Sequence, residues 1–154
     1  MKSIFYAAAF VAATAGAAQV IAAASPAITG AINARKTNYK EIGGAFKAVR
    51  DEIGSGSPDF RAIRPMTRDI VARSASQLRL FPRGSGPESG LRTRAKPAIW
   101  ANLPAFARAQ NEMVAAARAL DAAAQAGNAA QLQAAHTALG RTCRTCHDQY
   151  REEE

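Results

Sequence analysis

Cys143 and Cys146 stand three residues apart with His147 directly after them, in the run Cys143-Arg144-Thr145-Cys146-His147. On a helix, positions i and i+3 share a face. Two thiols so placed can add to the two vinyl groups of one haem, and the adjoining imidazole can then ligate its iron. Covalent attachment is the ordinary reading of C-x-x-C-H. Other chemistries of paired thiols fit less well. A redox dithiol is expected beside a βαβ pattern, and no strand pattern is present. Structural zinc takes four ligands; the motif supplies three, and His136 is the remaining histidine of the two. His136 precedes His147 by eleven residues, about 16 Å along a helix axis, so the two cannot share an ion within an unbroken helix. A plain disulfide would leave His147 without a purpose. His136 itself reads as a bundle-edge residue with a solvent or backbone partner.

The elements that must position these groups are helices. Alanine, the best helix former, fills 16 of the 34 residues from Ala105 to Ala138 and points to an all-α chain. A first helix is predicted from about Pro26 to Ile53, with Ser25 as N-cap and Pro26 in its first turn. Its inward seam is Ile28, Ile32, Arg35, Tyr39, Ile42, Phe46, Val49 and Ile53, in steps of three and four. A second helix is expected with Ser57 as N-cap, running to about Gln77, with Phe60, Ile63, Thr67, Ile70 and Ser74 inward. The stretch from Phe81 to about Pro97 reads as a loop, of a length that is usually functional or a crossover. Trp100 falls in a short turn. The third helix starts at Asn102 as N-cap and ends at Gly127, with Leu103, Phe106, Met113, Ala117, Leu120 and Ala124 inward. Asn128 caps a fourth, carrying Leu132, Leu139, Cys143, Cys146 and Tyr150 on one stripe. Four such helices form an antiparallel four-helix bundle.

The amino terminus reads as an export signal. Lys2 precedes an apolar run from Ile4 to Ala15, and Ala22-Ala23-Ala24 offers small residues for cleavage before Ser25. Residues 1–24 are then a cleaved signal peptide and 25–154 one soluble domain in the periplasm. The formal net charge of the 154-residue chain is +8. It concentrates between Arg61 and Lys96, where nine basic residues face two acidic ones. This is a basic segment on a neutral body. Export argues against nucleic acid as its partner, and no later stretch is apolar enough for stable membrane insertion.

Several pieces of the chain together resemble the class II cytochromes c, in particular the cytochrome c′ family. They are Arg35, Tyr39 and Gly43-Gly44; Leu80-Phe81-Pro82; Ala98-Ile99-Trp100-Ala101-Asn102; and Gly140 through the Cys143–His147 motif to Tyr150-Arg151. The resemblance implies a four-helix bundle with one haem c near one end, often in a homodimer. It implies that His147 is the fifth, axial ligand of the iron and that Arg35 lies near the haem propionates. It places Tyr39 in the distal pocket at the sixth position, where low-spin relatives carry a ligating Met. Arg151 would lie on the proximal side, beside the imidazole of His147.

The residues themselves leave alternatives. Arg35 breaks an apolar seam and needs an anion, for which a carboxylate such as Asp148 would also serve. Tyr39 could be a core tyrosine whose hydroxyl reaches the surface. Gly43 and Gly44 are easier to understand if another helix or a porphyrin edge comes close. Arg151 also suits the negative end of its helix, whereas Glu152-Glu153-Glu154 oppose it and should fray. Two functions follow. A five-coordinate iron would bind NO and CO, with or without electron transfer. A six-coordinate, low-spin carrier would exchange electrons only, with Met66 or Met113 as a conceivable ligand and acidic redox proteins as partners of the basic segment. No paired acid–base or nucleophile constellation indicates an enzyme.

Overall fold

In the computed structural model, which describes residues 24–153, the chain folds into α1 (Pro26–Gly54), α2 (Phe60–Ser76), α3 (Ala98–Ala101), α4 (Leu103–Ala126) and α5 (Ala129–Tyr150). The leader expected over residues 1–24 lies, except for Ala24, outside the described residues. Among the described residues there is no strand, and no helix is long and apolar enough to cross a membrane. The four long helices pack in chain order as an antiparallel four-helix bundle. α1 contacts α2, α2 contacts α4 and α4 contacts α5 along much of their length, while α1 and α5 touch over far less.

The helix ends follow local chemistry. Ser25 Oγ accepts the amide of Ile28 at 3.3 Å, Asn102 that of Ala105 at 3.1 Å and Asn128 that of Gln131 at 2.9 Å. Each side chain thereby satisfies an amide that has no partner inside its own helix. Gly127 closes α4 in the left-handed region at φ 68°, where a side chain would be strained. The start of α2 differs from expectation. Its N-cap is Asp59, not Ser57; the Asp59 carboxylate accepts the amides of Arg61 and Ala62 at 2.9 and 3.4 Å. Ser57 instead completes the preceding turn, its amide on Ser55 Oγ. Pro65 lies within α2 and does not end it.

The main core joins Ile42, Val49, Ile63, Ile70, Met113, Ala117, Leu120, Leu132 and Leu139 from all four long helices. A second, aromatic cluster of Phe81, Ala95, Ile99 and Phe106 lies under the 77–97 connection, with Tyr39, Trp100, Cys146 and Tyr150 against it. That connection is not loose chain. It buries Phe81, Ser85 and Ala95, and Trp100 lies in the one-turn α3, its indole N–H donating to Pro82 O at 3.0 Å.

The carboxyl end is likewise tied down, contrary to the expected fraying. Ala95 and Arg151 form an antiparallel bridge. Lys96 N donates to Tyr150 O at 2.9 Å, and Glu152 N donates to Arg94 O at 2.8 Å. The 94–96 segment supplies backbone partners for Tyr150 and Glu152, whereas Glu154 lies outside the described residues.

Candidate haem-binding site

α5 presents Cys143 and Cys146 toward the bundle, Cys143 against the main core and Cys146 against the aromatic cluster. Both thiols are free. Burial raises the Cys143 thiol, and burial with Cys143 as neighbour pushes Cys146 up to about 11. Reactive dithiols and zinc ligands require the opposite, a stabilised thiolate. Among the described residues no group of three or more His, Cys, Asp or Glu could hold a metal ion. Both thiols are thus held protonated, not poised as thiolates.

His147 lies at the exposed edge of the same turn. Burial, and next the charge of Arg151, hold its imidazole below the usual value, so it is neutral and able to ligate a metal. Arg151 Nη1 stands 3.4 Å from both Nδ1 and Nε2 of His147. It thus lies over the ring rather than in line with one nitrogen. The backbone bridge at Arg151 and a bond from Lys96 Nζ to Asp148 O at 2.9 Å hold this turn in place.

Arg35, on α1, is 3% exposed. Asp148 is not its partner. Nη1 donates to Ser85 Oγ at 2.9 Å, and Nη2 donates to Ser85 O and Thr93 Oγ1, each at 2.6 Å. The guanidinium lies 4.9 Å from the Phe81 ring centre and 5.7 Å from that of Trp100. These acceptors are neutral. Burial opposes the charge, while the Glu88 carboxylate favours it. A buried cation among neutral acceptors is suited to a nearby anion.

Tyr39, one turn further along α1, is half-buried and packs edge-on to Phe81. Gln110 Nε2 donates to the Tyr39 hydroxyl at 2.9 Å and lies 4.0 Å from Cys146 Sγ. Burial, then the neighbouring Cys146, hold the phenol well above its ordinary value, against weaker opposing effects of Gln110, Gln77 and Arg35. Tyr39 is therefore neutral. Gly43 lies one turn beyond it, and a Cβ built there or at Gly44 would meet nothing within 4 Å. No helix approaches these glycines, as the sequence reading had allowed; the space beside them is open. At Gly140 a Cβ would be in ordinary contact with Phe46, at 3.4 Å, and the tight position is Gly86, where it would lie 2.9 Å from Trp100. His136 is placed as expected, with Nε2 3.1 Å from Phe46 O and its ring stacked on Phe46. Met113 is part of the main core, and Met66 packs against that core from α2.

Gln110 was not anticipated, although a signal was present. It follows Phe106 by four and precedes Met113 by three, so it interrupts an apolar stripe as Arg35 does. Its Oε1 is buried without a hydrogen-bond partner. Ser85 and Thr93 could not be foreseen, since the contacts span 50 and 58 residues.

These residues fit a haem. Two free thiols a turn apart face the interior, a neutral imidazole adjoins them, and the amide of Gln110, whose Oε1 is buried without a partner, lies against Cys146 through its Nε2.

Comparison with known proteins agrees. Residues 30–151 match the cytochrome C′ family. The cytochrome c′ of Rubrivivax gelatinosus is 33% identical over 122 residues, covering 79% of this chain and 94% of that one. Its crystal structure superposes with a TM-score of 0.73. Cytochrome c-554 of Cereibacter sphaeroides is 39% identical, covering 72% of this chain and 90% of that one. A nitric oxide complex of a cytochrome c′ variant from Alcaligenes xylosoxidans is 25% identical with a TM-score of 0.74, covering 82% of this chain and 97% of that one. Bundle, motif and matched span lead to one conclusion: the chain belongs to the cytochrome c′ family of haem proteins.

Proposed function

We propose that this chain is an exported, periplasmic carrier of one haem c that binds small diatomic ligands and exchanges electrons, without enzymatic turnover. Cys143 and Cys146 hold the haem through thioethers, and His147 is its axial ligand. When bound, the haem supplies a redox-active iron with an open position for NO or CO. Arg35 offers a positive charge to the propionates from its cage of Ser85, Thr93, Phe81 and Trp100. Arg151 holds the exposed side of His147, and residues 1–24 serve as the export signal.

The observation that carries this reading is the state of Tyr39. Its hydroxyl is bonded to Gln110, and its phenol is kept neutral by burial. A neutral phenol is a poor iron ligand, so Tyr39 fills the distal side without closing it. Structures of the Alcaligenes xylosoxidans relative with NO and with carbon monoxide bound lend support. The test is the optical spectrum of the ferric and reduced protein, with and without CO. A high-spin ferric spectrum and a reduced spectrum changed by CO are expected. A low-spin spectrum unmoved by CO would favour the six-coordinate electron carrier.

A further inference from the structure

Leu78 is the one large apolar side chain left exposed among the described residues, at 38%. It borders an open groove between the turn after α2 and the start of α4, lined also by Phe81, Leu103, Pro104 and Ala107. A single exposed leucine is ordinary; an apolar groove rimmed by polar groups marks a place of contact. The rim here is basic. Arg79 and Arg83 follow Leu78 and Phe81 within two residues, and Arg108 stands one turn after Pro104 on the same face of α4. All three are exposed, and no carboxylate among the described residues pairs with them. By contrast, Arg64, Arg68, Arg73, Arg94 and Lys96 of the same basic segment are bonded within the chain. The inner wall of the groove is Phe81. Its ring centre is 4.7 Å from that of Phe106 and 6.5 Å from that of Tyr39. Cys146 packs against the same aromatic cluster.

The geometry points to this groove as the docking face for an acidic electron-transfer protein, one whose carboxylates meet Arg79, Arg83 and Arg108 and whose apolar centre covers Leu78. This rests on the electron exchange proposed above. Unpaired charges of one sign steer a partner of the opposite sign into place, and salt weakens that steering. A protein seated there is separated from the attachment thiol of Cys146 by the aromatic cluster. One electron then passes from the partner's reduced centre to the ferric haem iron, and no bond is made or broken. A second copy of the chain, meeting the groove face to face, would bring like charges to it.

The test uses a small, acidic two-iron ferredoxin as the partner. Binding is read with both proteins oxidised, so that no electron passes, as the response of the haem-loaded protein on immobilised ferredoxin at low and high salt. The unmodified protein should bind at low salt and be released at high salt. Arg79→Glu with Arg108→Glu should weaken binding by roughly tenfold and flatten its salt dependence. Arg61→Glu with Arg118→Glu, an equal change of charge toward the other end of the bundle, should do much less. Leu78→Ser should weaken binding severalfold and leave the salt dependence as it is. The rate at which reduced ferredoxin reduces the ferric haem should follow the same order. Equal losses in the two charge variants, an unmoved affinity in Leu78→Ser, or no binding by the unmodified protein overturns the inference; a haem that dithionite still reduces then leaves electron exchange standing. A dimer that Leu78→Ser alone dissolves assigns the groove to a second copy and overturns it as well. A haem that dithionite does not reduce overturns both.

Discussion

Cys143 and Cys146 share a helix face but not surroundings: one packs on aliphatic core, the other on aromatic rings. Replacing both by Ala should give a protein that loses all haem on acid–acetone extraction; covalently retained haem would refute the attachment. Tyr39→Met should place a thioether where Tyr39 now stands. The ferric iron should move toward low spin and the apparent CO affinity should fall, measured by spectrum and titration. Stability should change little, since Met adapts to irregular space. The thiols and His147 were legible because covalent chemistry dictates their spacing. Arg35 and Tyr39 were legible as breaks in a seam and by resemblance. Their partners were not. Gln110 breaks an inward stripe, but nothing in the sequence pairs it with Tyr39, 71 residues away; Ser85 and Thr93 come from a connection without periodicity.

At the scale of elements, caps and contacts decide. Asp59→Ala should cost about 1 kcal/mol in urea unfolding, the worth of an N-cap. Ser57→Ala should cost much less, because Ser57 uses its backbone amide and not its side chain at this turn. The sequence reading takes Ser57, with Pro58 after it, as the cap; the Asp59 carboxylate prevails by reaching two amides. The other caps were legible because each lies where an apolar stripe starts or stops. The held carboxyl end was not, since Arg94 meets the backbone of Glu152, 58 residues away, through its own carbonyl and its guanidinium.

His136 fastens α5 to α1, and burial lowers its pKa below the usual 6.5. The unfolded chain therefore takes up the proton first as pH falls. Stability should drop as pH falls below about 6.5 and level off beneath the folded pKa. Unfolding midpoints of the unmodified protein and His136→Gln across that range should show a steeper fall in the former.

Across the whole molecule, the basic segment fastens both ends of the bundle. Part of the basic segment is structural. Arg64 donates to Ala124 O and Gln125 O at 3.2 and 3.3 Å, where α4 leaves carbonyls without helical partners. Arg73 pairs with Asp69 at 2.6 Å, and Arg94 and Lys96 hold the end of α5. The segment thus fastens the end of α4 as well as the end of α5. The end of α5 gathers the motif, the aromatic cluster and Arg35. The most direct test of this account is the mass of the mature protein and of its proteolytic peptides, after expression in a host that attaches haem c. The account predicts the chain plus one haem, carried on the segment containing Cys143 and Cys146. A bare chain with two alkylatable thiols at those positions would contradict it.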